Sequence, residues 1–381
     1  MRSAARIDLD AIAHNVGVLR ERAGGAQVMA VVKADAYGHG LVHSAQAAIR
    51  GGATWLGVAF LEEAQALRAA GIITPVLAWL FAPDEDLSPA IRSQVELGVY
   101  STQELARAQA AAESAGIPAR VQLKADTGLS RGGATQQDWP ELCEAAAKAE
   151  ADGTVQVTGL WSHFAFADGG PDHPVNNRQA GVFEQALDIA ATKGLEGRLR
   201  HLANSAATLT APATHYDLVR PGLAVYGLSP VPQLGSARDF GLRPAMSLRS
   251  QVVQTKRVPA GSGVSYLHRY ATTEETTLAL VPLGYGDGVP RAATNVAEVL
   301  IKGARRRIAG TVSMDQFVLD VGDDEVQAGD EVLLFGDGSQ GEPTAQDWAE
   351  ATGTIDYEIV TRIGGRVPRD YVGEGAVGEG A

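Results

Sequence analysis

Cysteine is almost absent. Of 381 residues only Cys143 is a cysteine, so no internal disulfide can form and no paired Cys/His spacing suggests a structural zinc. Positive charge is also scarce: 32 Lys and Arg stand against 45 Asp and Glu, for a formal net charge of -13 and a pI near 5.1. That balance disfavours nucleic-acid partners, whose binding depends on lysine and arginine neutralising phosphates, and the single basic cluster Arg305–Arg307 is too short to reverse it. Long apolar runs are missing too. The longest, around Pro75 to Pro83, falls short of the roughly 20 residues a membrane span needs. The opening MRSAARIDLDAIAHN is broken by charges where a signal peptide requires an uninterrupted apolar core, so the expected location is the cytoplasm. No GxxxxGK[ST] phosphate loop occurs.

What is present is an ordinary globular composition, 45% hydrophobic, ample for two or three cores. From about residue 10 to 230, short runs rich in Val and Leu alternate with alanine-rich amphipathic stretches, the pattern of βα units around a parallel sheet. The runs are QVMAVV (27–32), WLGVAF (55–60), PVLAWL (75–80), LGVYS (97–101), ARVQLK (119–124), VTGLWSH (157–163), RLRHLA (198–203) and LVRPG (218–222). Between them lie helical patterns such as TQELARAQAAAESAG (102–116), several closed by glycine. Eight such units most economically close into a (β/α)8 barrel of the TIM type. After the connection SPVPQLGSARDFG (229–241) the pattern changes to strands without helices, which predicts a mostly antiparallel β domain over 240–371. The leading ARIDLD alternates and is expected to be a strand joining that second domain, within residues 1–9. The tail 372–381, ending GEGAVGEGA, is expected to be disordered.

A lysine placed directly after an apolar strand, as in AVVKADAYGHG (30–40), needs a reason, because lysine is rarely buried without a partner or a reaction. Lys33 follows the first predicted strand, Lys124 ends the fifth and His163 ends the sixth. Asn204 and Ser205 follow the seventh, and Arg220 and Gly222 close the eighth. A solvated strand end would explain any one of these. It does not explain a set of cations and amides converging on the carboxyl rim, where barrel active sites are built and where the last two loops frequently bind phosphate. A lysine near a phosphate site, without metal ligands, suggests pyridoxal phosphate (PLP) held as a Schiff base.

The chain resembles the alanine racemase family, bacterial PLP enzymes, from near its first strand to about Tyr371. The resemblance is carried by AVVKADAYGHG (30–40), LKADTGLSRGG (123–133), HLANSAA (201–207), VRPGLAVYG (219–227), VSY (264–266), LGYGDG (283–288), SMDQ (313–316) and TIDYEIVTRIGGRVPR (354–369). It implies that Lys33 carries the cofactor and serves one face of the substrate Cα, while Tyr266 of a second subunit serves the other. Tyr37, Ser205, Tyr357 and the backbone of Gly222 and Leu223 would form the phosphate cup, with His163 and Asn204 also at the cofactor. Arg220 would face the pyridine nitrogen, supported by His201. Arg131, Met314 and Tyr285 would meet the substrate, with Asp315 behind them, and Lys124 would be carbamylated to an N6-carboxylysine that pins Arg131. It further implies a cytoplasmic homodimer with shared active sites, a small amino-acid substrate, no metal, and D-alanine as a peptidoglycan precursor.

Two departures from the family's usual pattern are Ser130, where many relatives have glycine, and Ser313, where cysteine is frequent. A racemase of serine or another small amino acid remains an alternative, since the same lysine and tyrosine would serve any small Cα; Tyr285 and Tyr357 suggest a narrow entrance, which favours alanine. A non-catalytic PLP-binding barrel is a second alternative, opposed by the domain that carries VSY and SMDQ.

Overall fold

The computed structural model describes residues 2–376, which form two compact units. One comprises Ile12–Ala36 and Leu41–Leu242; the other comprises residues up to Ala11, Tyr37–Gly40 and the chain from Arg243 onward. The first strand, β1 (Ser3–Asp8), belongs to the latter.

The larger unit is the barrel. Its strands are β2 (Gln27–Val31), β3 (Trp55–Val58), β4 (Val76–Ala78), β5 (Val95–Val99), β6 (Ala119–Lys124), β7 (Val155–Trp161), β8 (Leu199–His201) and β9 (Leu218–Val219). All pair in parallel, in the order β8-β7-β6-β5-β4-β3-β2-β9. Flanking backbone completes the seam between the two end strands: Arg220 NH donates to Ala203 O at 2.9 Å and Asp217 NH to Arg200 O at 3.1 Å. Strands β3, β4 and β5 are buried at every position, which is why they read as continuous apolar runs and not as alternating ones. Met29, Trp55, Leu77, Trp161 and Leu218 pack as one cluster, with Trp79, Tyr100 and Leu199 against it. The helices are delimited by local chemistry. Ser101 Oγ accepts Glu104 NH at the start of helix Thr102–Ala115, and Gly116 ends it at φ +74°.

The second unit holds a six-stranded sheet, β16-β15-β18-β10-β1-β19, and a three-stranded sheet, β11-β14-β17. Its strands are β10 (Met246–Gln251), β11 (Gln254–Val258), the short pair β12 (Gly263–Val264) and β13 (Tyr270–Ala271), β14 (Thr276–Val281), β15 (Glu298–Ile301), β16 (Ala304–Arg307), β17 (Phe317–Gly322), β18 (Glu331–Phe335) and β19 (Arg369–Val372). Pairing is antiparallel except between β1 and β19. The reading of this segment as free of helices is corrected: Ala345–Thr352 and Asp356–Thr361 are helical. The first starts at a capping box, where Thr344 Oγ1 accepts Asp347 NH and Asp347 returns the bond, and it ends at left-handed Gly353. Within the stretch SLRSQVVQTKRV (247–258), β10 and β11 are separated by Val252 and Val253. Of the tail expected to be disordered, Val372 ends β19 and Glu374 NH reaches Asp10 Oδ1 at 2.9 Å; residues 377–381 lie outside those described.

Candidate active site

Lys33 stands just beyond the carboxyl end of β2, half-buried, at the head of a turn of the wrong hand. Ala34, Asp35, Ala36 and Tyr37 have φ of +54°, +52°, +54° and +54°. Four consecutive non-glycine residues in that region cost about 1–2 kcal/mol each, so surrounding contacts must hold them. Glu63 Oε1 accepts Ala34 NH at 2.6 Å, while its Oε2 accepts Ala59 NH and Phe60 NH at 2.9 and 3.1 Å. Asp35 Oδ1 accepts Leu41 NH at 2.8 Å. Burial, and then the Arg131 guanidinium, push the Lys33 ammonium below its ordinary value, against the opposing pull of Glu63. A lysine that gives up its proton more easily is a better nucleophile.

Arg220, immediately after β9, is buried, and among the described residues its side chain is hydrogen-bonded only to neutral groups: His201 Nδ1 at 2.9 Å, His163 Nδ1 at 3.2 Å, Ser162 O at 2.7 Å and Leu202 O at 3.2 Å. Burial brings its guanidinium down to about 9, still charged at neutral pH. Both histidines are held well below their ordinary value, chiefly by burial and then by Arg220, and are therefore neutral. Lys124 is the last residue of β6, and its side-chain ammonium makes no hydrogen bond or ion pair among the described residues. Its ammonium lies 4.6 Å from the Trp161 ring centroid and 4.9 Å from that of Tyr100, and burial with Arg220 and Arg131 lowers it to about 8. Arg131 is exposed and likewise unpaired among the described residues. Before it, Ser130 adopts φ +56°, the conformation that glycine suits at this position.

Asn204 and Ser205 open the short helix Ser205–Thr210, where Asn204 Oδ1 caps Ala207 NH at 3.0 Å. Ser205 Oγ accepts Gly222 NH at 2.8 Å, tying the loop after β8 to the one after β9, next to Leu223.

The second unit carries the other expected residues. Tyr37 and Tyr357 lie ring to ring, with centroids 6.2 Å apart. Burial raises the Tyr37 hydroxyl, so it stays protonated. Tyr266 is 69% exposed yet sits on a fixed loop: its neighbours Ser265 and Leu267 have φ of +60° and +63°. Ser265 Oγ donates to Thr311 O at 2.6 Å, and Thr311 Oγ1 donates to Tyr266 O at 2.9 Å. Tyr285 NH bonds Ser313 O at 3.0 Å and Gly286 NH bonds Met314 O at 2.8 Å, so Tyr285 and Met314 are neighbours, both exposed. Asp315 pairs with Arg366 at 2.7 Å, and Arg366 reaches buried Asp287 at 3.3 Å.

Sequence reasoning did not single out Glu63, Trp161, Tyr100 or Gln122. Glu63 left a signal, an acid three residues into a helix, which is ordinary capping chemistry. The other three are barrel-interior side chains whose sequence pattern is that of any core.

The sequence and the fold are similar to those of known proteins. Residues 7–230 match the family described as "Alanine racemase, N-terminal domain" and residues 245–371 match "Alanine racemase, C-terminal domain". A curated alanine racemase of Frankia casuarinae is 64% identical over 372 residues, covering 98% of this chain and 97% of the relative. One from Salinispora arenicola is 58% identical, covering 98% and 99%. Among solved structures, alanine racemase from D-cycloserine-producing Streptomyces lavendulae superposes with a TM-score of 0.96 at 55% identity, covering 98% of this chain and 97% of that one. Both halves of the chain, the barrel rim and the exposed tyrosine loop alike, thus fall within one pattern, and the chain belongs to the alanine racemase family.

Proposed function

We propose that this protein interconverts L-alanine and D-alanine, with PLP on Lys33, as a homodimer whose active sites are shared between subunits. One observation carries the reading: on a single barrel rim stand a lysine with weakened hold on its proton, Lys33, and an arginine whose side-chain hydrogen-bond partners among the described residues are all neutral, Arg220. The donor set fits the cofactor. A dianionic phosphate suits the Ser205 hydroxyl, the Gly222 and Leu223 amides and the hydroxyls of Tyr37 and Tyr357, with Asn204 and His163 alongside. When bound, PLP supplies the carbonyl that condenses with amines and the conjugated ring that takes up the electron pair left at Cα.

Around it the chain's own groups divide the work. Arg220 donates to the pyridine nitrogen without giving up its proton, which keeps the ring a weak electron sink and favours return of a proton to Cα over transamination. His201 holds Arg220 from behind. Lys33 Nζ takes or gives the Cα proton on one face, and Tyr266 Oη of a second copy does so on the other. Arg131, Tyr285 and Met314 receive the substrate, and Asp315 braces that loop through Arg366.

Lys124 completes the proposal. As an ammonium it is a buried cation with no ion pair among the described residues, beside Arg131 and Arg220, whose charges outweigh the pull of Asp126. At pH 7 a group with a pKa of about 8 is roughly one-tenth neutral. Once the ammonium has given one proton to solvent, the neutral amine can add carbon dioxide: a C–N bond forms, a second proton leaves to solvent, and the side chain has turned from cation to carbamate. That anion can pin the unpaired Arg131 guanidinium.

The test is a racemisation assay on alanine, serine and other small amino acids, run beside spectroscopy of the holoenzyme. Alanine should be the preferred substrate, and borohydride should abolish the visible-edge band while fixing a pyridoxyl group to Lys33. Label on another lysine, or faster turnover of serine, would overturn the corresponding part of the reading.

A further inference from the structure

A hydrogen-bonded chain runs from Arg220 through the barrel to Glu96. Glu96, on β5, is 1% exposed. Its Oε1 accepts Arg120 Nη2 at 2.6 Å and Nε at 2.8 Å; its Oε2 accepts Thr158 Oγ1 at 2.5 Å and Gln122 Nε2 at 2.8 Å. Gln122 Oε1 then meets His201 Nε2 at 2.7 Å, and His201 Nδ1 meets Arg220 Nη1 at 2.9 Å.

The chemistry of the groups orients every link. A carboxylate only accepts, so Gln122 must turn its NH2 towards Glu96 and its carbonyl oxygen towards His201. That oxygen also only accepts, so the proton of neutral His201 sits on Nε2. Nδ1 is left as a bare lone pair, and Arg220 donates to it. Trp161 stacks on the imidazole, with centroids 5.7 Å apart and planes 4° from parallel, and fixes its plane.

We propose that Glu96 is a positioning residue for Arg220: relayed by Gln122, its carboxylate sets the Nε2–H tautomer of His201, and the lone pair so presented holds the guanidinium at the rim. The inference rests on the ring-nitrogen role proposed for Arg220. It predicts an inversion that removing a merely structural ion pair would not produce. In Glu96→Gln, Arg120 keeps the amide oxygen at the Oε1 position, so the new NH2 faces Gln122. Gln122 must flip to accept it and then offers its own NH2 to His201 Nε2. The imidazole proton moves to Nδ1, where it opposes the Arg220 donor. Exchanging the two groups, Glu96→Gln with Gln122→Glu, restores the original polarity.

The experiment uses holoenzyme labelled with 15N-histidine, the His201 signals being identified by their loss in His201→Gln. Ring-nitrogen shifts should report Nε2–H in the wild type, Nδ1–H in Glu96→Gln and Nε2–H again in the exchanged double variant. The kcat for alanine should fall about tenfold or more in the single variant, with KM changed less, and recover in the double. A wild-type Nδ1–H tautomer, an unchanged tautomer in Glu96→Gln, or an inverted tautomer with unchanged kcat would each overturn the proposal. Should Glu96→Gln fail to fold, the wild-type spectrum and the double variant decide it. A correct wild-type tautomer in a protein that racemises nothing would instead overturn the function assigned to Arg220.

Discussion

Glu63 accepts the backbone NH of Ala34 at 2.6 Å, across 29 residues of sequence, at the first step of the left-handed turn that follows Lys33. The same carboxylate caps the helix Leu61–Ala69 through Ala59 and Phe60, so one side chain ties the loop after β3 to the backbone of the lysine after β2. Losing it leaves three NH groups without their acceptor, a cost of about 1–3 kcal/mol.

Glu63→Ala should therefore lower the Tm by a few degrees and speed release of the cofactor from Lys33, whereas Ala34→Gly, at φ +54°, should be neutral or stabilising because glycine enters that region without strain. Thermal unfolding and the rate of absorbance loss on dialysis read both. A Glu63→Ala protein with wild-type Tm and cofactor retention would show that other contacts hold the turn.

Gly284 has no room for a side chain. A Cβ there would lie 2.2 Å from Ser313 O and 2.4 Å from Met314 O. The close approach sets Tyr285 and Met314 side by side. Gly284→Ala should displace that pair, destabilise the protein by about 1–3 kcal/mol and raise KM for alanine more than it lowers kcat. Equal loss in both parameters, or none, would contradict the placement of these residues at the substrate.

The barrel was legible because strands such as β3, β4 and β5 are buried at every position and several of its helices are followed by glycine, so periodicity and punctuation agreed. The helices Ala345–Thr352 and Asp356–Thr361 were missed because each is under three turns long and sits among strand-like runs. The capping box from Thr344 to Asp347 was the available signal. At the site, the strand-end cations were visible because a charge after an apolar run is conspicuous. The left-handed turn was not: Ala34 and Ala36 carry no mark of positive φ, and the hand is imposed by partners such as Glu63 and Asp35. Nor could Gln122 and Glu96 be distinguished from solvated polar positions until strand pairing aligned their side chains.

Tyr266 is exposed on a loop that is nonetheless fixed by Ser265 and Thr311, an arrangement suited to presenting the hydroxyl to a second copy. If the sites are shared, mixing inactive Lys33→Ala chains with inactive Tyr266→Phe chains should restore activity, because each mixed dimer holds one intact site. About half the dimers in an equal, fully exchanged mixture are mixed, and each has one of two sites working, so recovery should approach a quarter of wild type. Mixed dimers that form, as shown by mass, and stay inactive would refute sharing.

Lys124 gives the protein a pH dependence of defined sign. Its ammonium is lowered to about 8 in the folded state, from the ordinary lysine value of 10.5, because burial and the neighbouring arginines disfavour the charge. Over that interval the unfolded chain binds more protons, so stability rises with pH; the penalty is fully present below pH 8 and is relieved as pH climbs towards 10.5. The depression corresponds to about 3 kcal/mol. The aromatic faces of Tyr100 and Trp161 offset part of this, leaving a net penalty on the order of 2 kcal/mol. In buffer free of carbon dioxide, apoprotein carrying Lys124→Met should thus be more stable than wild type at pH 7, and the gap should close by pH 10. Adding bicarbonate at pH 8 should stabilise the wild type alone, since only Lys124 can form the carbamate, and a labelled carbamate carbon should appear in its 13C spectrum. Equal stability of the two proteins at pH 7 with no response to bicarbonate would mean that Lys124 is a satisfied ammonium and that Arg131 is oriented by some other group.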